Sequence, residues 1–200
     1  PTQPYREHRM LIVFNGLPGT GKTTLAQALA RQIGAVYLRI DVIEQAIRDA
    51  GVLAGDVGAS GYGVANALAL SNLRLGQTVV ADCVNPVQES REAWKTSAAM
   101  AGVALLDIRV ICSDRQEHQR RVETRTGDIP GLVAPSWASV LAHEYEAWAE
   151  VPLTLDTALM TPDQAVTMVL ATLKAQSPSP SSTPGPVHRY LAHTPTPPRD

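Results

Sequence analysis

The segment that most limits this 200-residue chain runs from Gly16 to Thr23. It reads Gly-Leu-Pro-Gly-Thr-Gly-Lys-Thr, a full match to the phosphate-loop pattern of a glycine, four residues, then Gly-Lys-Ser/Thr. The flanks are those the pattern needs. Met10–Asn15 (MLIVFN) is a short apolar run that predicts a buried strand, and Lys22–Gly34 is an Ala/Leu-rich helical stretch closed by glycine. Strand, glycine turn and helix in that order commit the chain to β-α-β units with right-handed crossovers.

Each loop position has a physical task. Gly16, Gly19 and Gly21 let the backbone turn back and point its N–H groups inward, while Leu17, Pro18 and Thr20 fill the cradle between them. Those donors and the following helix N-terminus form an anion site for a β-phosphate. Lys22 brings a mobile charge to the β- and γ-phosphates. The Thr23 hydroxyl is placed for Mg²⁺ and Thr24 for the α-phosphate. The loop thus specifies a nucleoside triphosphate with magnesium. It leaves open whether the γ-phosphate goes to an acceptor, to water with a switching motion, or into mechanical work.

Beyond the loop, short apolar runs alternate with helical patterns. Strands are predicted at Val36–Ile40, Thr78–Asp82, Val103–Cys112 and Leu153–Asp156. Helices are predicted from about Val42 to Ala50, Val64–Leu75, Val87–Ala101, Asp114 to about Arg125, Ser136–Glu150 and Pro162–Ala175. Ser136 is a plausible N-cap. Gly51–Gly63 and Gly127–Pro135 read as loops. The result is an α/β domain over residues 10–175 with a five-stranded parallel sheet. Residues 1–9 are expected to be loose. Seven of the 15 prolines fall in the last 25 residues, so 176–200 is expected to be a disordered, Pro-rich tail.

Composition excludes several classes. A net charge of −2 argues against binding to nucleic acid or anionic lipid by bulk charge. No apolar run reaches the ~20 residues of a membrane span, and the first ten residues are too polar for a signal peptide. Cys83 and Cys112 are too few for a disulfide framework and read as small buried residues in a reduced, cytoplasmic setting. No apolar run ends in Asp-Glu, and no Asn-Lys-x-Asp occurs, which disfavours a work-producing ATPase and a guanine-specific GTPase.

The remaining chemistry gathers at strand ends. Ligands of an open parallel sheet lie beyond its carboxyl edge, so Asp41, closing the second strand, falls near the γ-phosphate. There it can accept a hydroxyl proton or orient the attacking oxygen; capping a helix that starts at Val42 is the alternative. Asp82 closes the third strand and could hold Mg²⁺ through water or bind substrate. Asn85 and Pro86 shape the next turn. In Asp114–Arg125 (DRQEHQRRVETR), Arg121 and Arg125 share a helical face and could neutralise the transferring phosphoryl group, with Gly127–Pro135 as a mobile hinge. A solvated face with a Glu117–Arg121 pair is the plainer reading. His118 reads as a surface residue, and Trp137 and Trp148, eleven apart on one helix, as packing residues.

Together, Gly16–Thr24, Asp41, the Val79–Asp82 segment, Cys112–Asp114 leading to Arg121 and Arg125, Pro135–Trp137, Tyr145–Trp148 and Leu155–Thr157 resemble the small P-loop kinases of the AAA_33 or predicted-kinase type. These are similar to chloramphenicol phosphotransferase, gluconate and shikimate kinases, zeta-toxin kinases and the polynucleotide 5′-kinase domain. The resemblance covers about residues 10–173. It implies a 2-3-1-4-5 sheet with a helical lid, ATP as donor, Asp41 as substrate-side base, Arg121 and Arg125 as lid residues, and Asp156–Thr157 beside the adenine. It also implies a small-molecule hydroxyl acceptor and a monomer or homodimer. Gly51–Leu70 is the candidate acceptor-binding segment. The absence of a clear basic groove disfavours a polynucleotide acceptor. A nucleoside or polynucleotide 5′-kinase, and a nucleotide-dependent regulatory module with a partner on its Pro-rich tail, are the alternative functions.

Overall fold

The computed structural model describes residues 9–53, 55–150 and 152–176; the expected tail from 177 onward lies outside the described residues, as do residues 1–8. Strands β1 (Met10–Asn15), β2 (Val36–Arg39), β3 (Val79–Cys83), β4 (Ala104–Ile111) and β5 (Leu153–Asp156) form one parallel sheet in the order β2-β3-β1-β4-β5. That is the order the family resemblance implies. The carboxyl ends of all five strands line one edge, and the phosphate loop leaves the central strand there.

Helices cover both faces. Alternation along β1 sends Ile12 and Phe14 to one side, against α1 (Lys22–Ile33) and α7 (Pro162–Gln176). Leu11 and Val13 point to the other side, against α3 (Ser60–Arg74) and α4 (Gln88–Ala101), where Trp94 is fully buried. Cys83 and Cys112 are both buried free thiols at the ends of the strands flanking β1. Among the described residues, no helix is long and apolar enough to cross a membrane.

Three element boundaries differ from the sequence expectation by two residues or more. Helix α2 (Ile40–Asp49) starts two residues early, with Arg39 as N-cap residue and Asp41 inside the first turn. Asp41 therefore does not cap the helix. Ile40 is drawn inward as a 4% exposed core residue, and this pulls the helix start back to the strand. Helix α3 starts at Ser60 and absorbs two glycines of the predicted loop. Gly61 is needed for helix contact: a Cβ there would lie 2.5 Å from Cγ of Glu44 on α2.

The third difference is larger. Ser136 caps as expected, accepting from Ser139 N–H at 3.1 Å, but α6 covers only Trp137–Leu141 instead of reaching Glu150. Arg91 of α4 takes the missing half. Its guanidinium donates to the carbonyls of Glu146 (2.7 Å) and Ala147 (3.0 Å), and also to those of Asn85 and Pro86. Its Cζ lies 4.1 Å from the Trp148 ring centroid and 5.2 Å from that of Tyr145. Tertiary donors claim carbonyls that an α-helix would have used. The two tryptophans therefore do not share a helix: Trp148 stacks on Arg91, and Trp137 meets the His118 ring edge-on at 5.1 Å.

Candidate functional site: a phosphate cradle bordered by carboxylates

The cradle is built from backbone. Gly19 has φ +82°, and a Cβ there would lie 2.5 Å from Cγ2 of Val122. At Gly16 a Cβ would sit 2.4 Å from the Val110 carbonyl oxygen. Gly21 is the N-cap residue of α1 and offers no side-chain cap, so the first N–H groups of α1 remain open to an anion. Two side chains brace the loop from outside. Thr157 Oγ1 donates to the Thr20 carbonyl at 2.7 Å, and His118 Nε2 lies 2.8 Å from the Pro18 carbonyl. A carbonyl only accepts, so that ring nitrogen carries the proton. His118 is 8% exposed, which corrects the surface reading: α5 (Arg115–Thr124) lies directly on the loop.

Lys22 is buried in the first turn of α1, its Nζ 4.0 Å from Oδ1 of Asp82. Asp82 is 2% exposed. Its Oδ2 accepts from the Tyr37 hydroxyl at 2.8 Å, and burial, followed by the Asp82 charge, pushes that phenol far above its ordinary pKa. Tyr37 is a permanent donor at physiological pH. Asp82 Oδ1 is buried and has no hydrogen-bond partner. An unsatisfied carboxylate oxygen beside a phosphate-loop lysine is costly unless a ligand completes it. With Thr23 half-buried on the same turn as Lys22, the set fits a hydrated Mg²⁺. Thr24, one residue on, is exposed.

Just past the neighbouring strand, in the first turn of α2, stands Asp41, whose side chain is 31% exposed and 3.4 Å from an Arg39 terminal nitrogen. One turn later, burial raises the Glu44 carboxyl, with Arg48 opposing and Asp41 and Asp56 adding to the rise. Arg39 is the residue that sequence reasoning missed here. It is 6% exposed, faces Asp82 across the β2–β3 register, approaches its Oδ2 to 3.9 Å, and grips Asp128 with two nitrogens. The signal was present in Tyr37-Leu-Arg39: strand alternation puts both polar residues on one face, opposite a strand-end aspartate.

Arg121 and Arg125, expected on one helical face, point to different neighbours, because α5 ends at Thr124. Arg121 donates to Thr157 Oγ1 (2.8 Å) and the Thr157 carbonyl (3.1 Å), and pairs with Glu117 at 2.7 Å. Hydrogen bonds from Arg120 and Arg121 hold the Glu117 carboxyl down to about 2. Arg125 lies just past the helix, where its charge lowers Asp128 together with the stronger effect of Arg39. Asp156 accepts backbone N–H groups of Ser113 and Ala158 at 3.0 Å each, so its carboxylate braces the β4–β5 loops. Asp156 and Thr157 thus stand beside the loop and α5. Buried Asn85, left-handed at φ 53°, donates to Asn15 at the root of the cradle.

Comparison with known proteins gives the family and the fold. A protein of Mycobacterium tuberculosis described as uncharacterized is 33% identical over 147 residues, covering 67% of this chain and 29% of its own length; one of Mycobacterium bovis matches equally. The chain therefore spans less than a third of the curated relatives it matches. A Chloroflexus aurantiacus protein provisionally assigned as a kinase is 24% identical, with a TM-score of 0.67 over 84% of this chain and 98% of that one. The gluconokinase of Sinorhizobium meliloti gives 22% identity and 0.57 over 82% and 91%. The APS kinase CysC of M. tuberculosis, in complex with AMPPNP and APS, gives 18% and 0.62 over 84% and 98%. These likenesses show a shared fold. The family model of AAA_33, an AAA domain, matches residues 11–133. As that match takes in more than half of the chain, the protein belongs to the AAA_33 family, on the fold of the small P-loop kinases.

Proposed function

We propose that the chain is an ATP-dependent phosphotransferase that moves the γ-phosphoryl group to a hydroxyl of a small molecule. The observation that carries this reading is the solvent-reachable carboxylate of Asp41 one strand away from the buried Lys22–Asp82 pair, with Arg39 holding the gap between them. In this reading the loop N–H groups and Lys22 bind and orient the phosphates. Thr23 and Asp82 would hold Mg²⁺, which supplies charge neutralisation across them. The acceptor oxygen attacks the γ-phosphorus as its bond to the β–γ bridging oxygen breaks, and Asp41 takes the hydroxyl proton. In the same reading Arg121, hydrogen-bonded to Thr157, and Arg125, whose charge reaches Asp128, would neutralise the transferring phosphoryl group.

The test is transfer of label from γ-labelled ATP with panels of alcohols, antibiotics, nucleosides and 5′-hydroxyl oligonucleotides. Lys22→Ala is expected to abolish ATP turnover. Asp41→Asn is expected to keep ATP binding and lose transfer by about 100-fold or more. Full transfer by Asp41→Asn would remove Asp41 as the base, and label appearing only on oligonucleotides would replace the small-molecule reading.

A further inference from the structure

Arg39 is surrounded by three carboxylates of two kinds. Asp41 is its near neighbour on the chain, in the first turn of α2, and Asp82 is its register partner across the sheet, so both belong to regular elements. Asp128 does not. It sits in the irregular segment 125–136, its side chain is 52% exposed, and it holds both terminal nitrogens of the guanidinium, Nη2 at 3.2 Å. The same segment rests on α2 at Gly131, where a Cβ would lie 2.9 Å from Nε2 of Gln45. Asp128 therefore lies as a plug over the side of α2 that presents Asp41. A guanidinium fork grips phosphate and carboxylate with one geometry. Buried Nε of Arg39 makes no hydrogen bond, so the fork also keeps a donor in reserve.

We propose that Arg39 is the anion-binding residue of the acceptor side and that Asp128 is its intramolecular stand-in. The natural acceptor is then a hydroxyl compound that also carries a phosphate or carboxylate group. That group displaces Asp128 from the fork, Arg39 stays paired throughout, and segment 125–136 is released as the acceptor enters. This rests on the phosphotransferase reading and adds the substrate class to it.

The experiment uses the full chain with Mg²⁺ and saturating AMP-PNP, which fills the phosphate loop, and titrates inorganic phosphate and acetate by calorimetry. Asp128→Asn is expected to tighten at least one of the two anions fivefold or more, and the anion that responds identifies the acceptor group. Adding Arg39→Lys, which keeps the charge and loses the fork, should erase that gain. Circular dichroism and an unchanged Tm in all variants report an intact fold. Unchanged anion affinity in Asp128→Asn, or a gain that survives Arg39→Lys, overturns the proposal. Failure of the wild-type chain to bind AMP-PNP would instead remove the phosphotransferase reading, and this one with it.

Discussion

Arg91→Met is the sharpest test of how the site is held together. Arg91 is 1% exposed, and methionine keeps much of its aliphatic length while removing every donor. Four carbonyls lose a partner: Asn85, Pro86, Glu146 and Ala147, at 3.2, 2.9, 2.7 and 3.0 Å. A hydrogen bond from a charged donor contributes about 1.5–3 kcal/mol, and stacking on Trp148 adds about 1 kcal/mol. Two effects reduce the sum. Methionine avoids the desolvation of a guanidinium, and the Glu146 and Ala147 carbonyls regain water once segment 142–150 lifts. The net loss should be about 3–5 kcal/mol, out of a total that is about 5–15 kcal/mol for such a domain. At roughly 2–4 °C per kcal/mol for this size, Tm falls by about 6–20 °C. Urea denaturation followed by tryptophan fluorescence measures the loss, and Trp148 should shift to the red in the native baseline. Arg91→Lys should recover less than half, since one ammonium cannot span four carbonyls. A loss under about 1 kcal/mol, or full recovery by lysine, would refute the clamp.

Two further substitutions probe the cradle and its root. Gly19→Ala forces a side chain into φ +82° and onto Val122, so nucleotide affinity should fall sharply with about 1–3 kcal/mol of stability; Val122→Ala should relieve the clash but not the backbone strain, and an AMP-PNP titration that finds Gly19→Ala unaffected would contradict the close packing of α5. Asp107 tests the pH dependence. Burial raises its carboxyl above the ordinary 3.8, against a lowering hydrogen bond from Asn15. A carboxyl raised on folding favours the folded state at acid pH and withdraws that support as pH rises through its folded value. Asp107→Asn, which keeps an acceptor for Asn15, should therefore be more stable than wild type at pH 7, with the gap closing toward pH 3. A gap that widens on acidification is the contrary result.

What the sequence could reveal follows the range of the interactions involved. β1, the glycine loop and α1 were legible because hydrophobic period, glycine conformation and phosphate chemistry all act within 25 residues. The five strands were legible as apolar runs, and their order came through the family resemblance. Arg91 and residues 142–150 were not legible, because the carbonyls of Glu146 and Ala147 are claimed from 55 and 56 residues away. Buried arginine is rare enough that nothing local announces it. Arg39 and His118 were hidden for a related reason. Each looks like a surface residue until the fold supplies its partner, Asp128 at a separation of 89 residues and Pro18 at 100. Asp41 falls past its strand, in the first turn of α2, because the strand end and helix start depend on burial of Ile40.

The braces from His118 and Thr157 bear on how nucleotide would arrive. Both hold loop carbonyls through contacts from outside the loop, from α5 and from the turn after β5. Such bracing lessens the ordering that nucleotide binding has to supply. The same bracing reverses the direction of influence: a change on α5, a hundred residues downstream, would be read by the phosphates as a misplaced cradle.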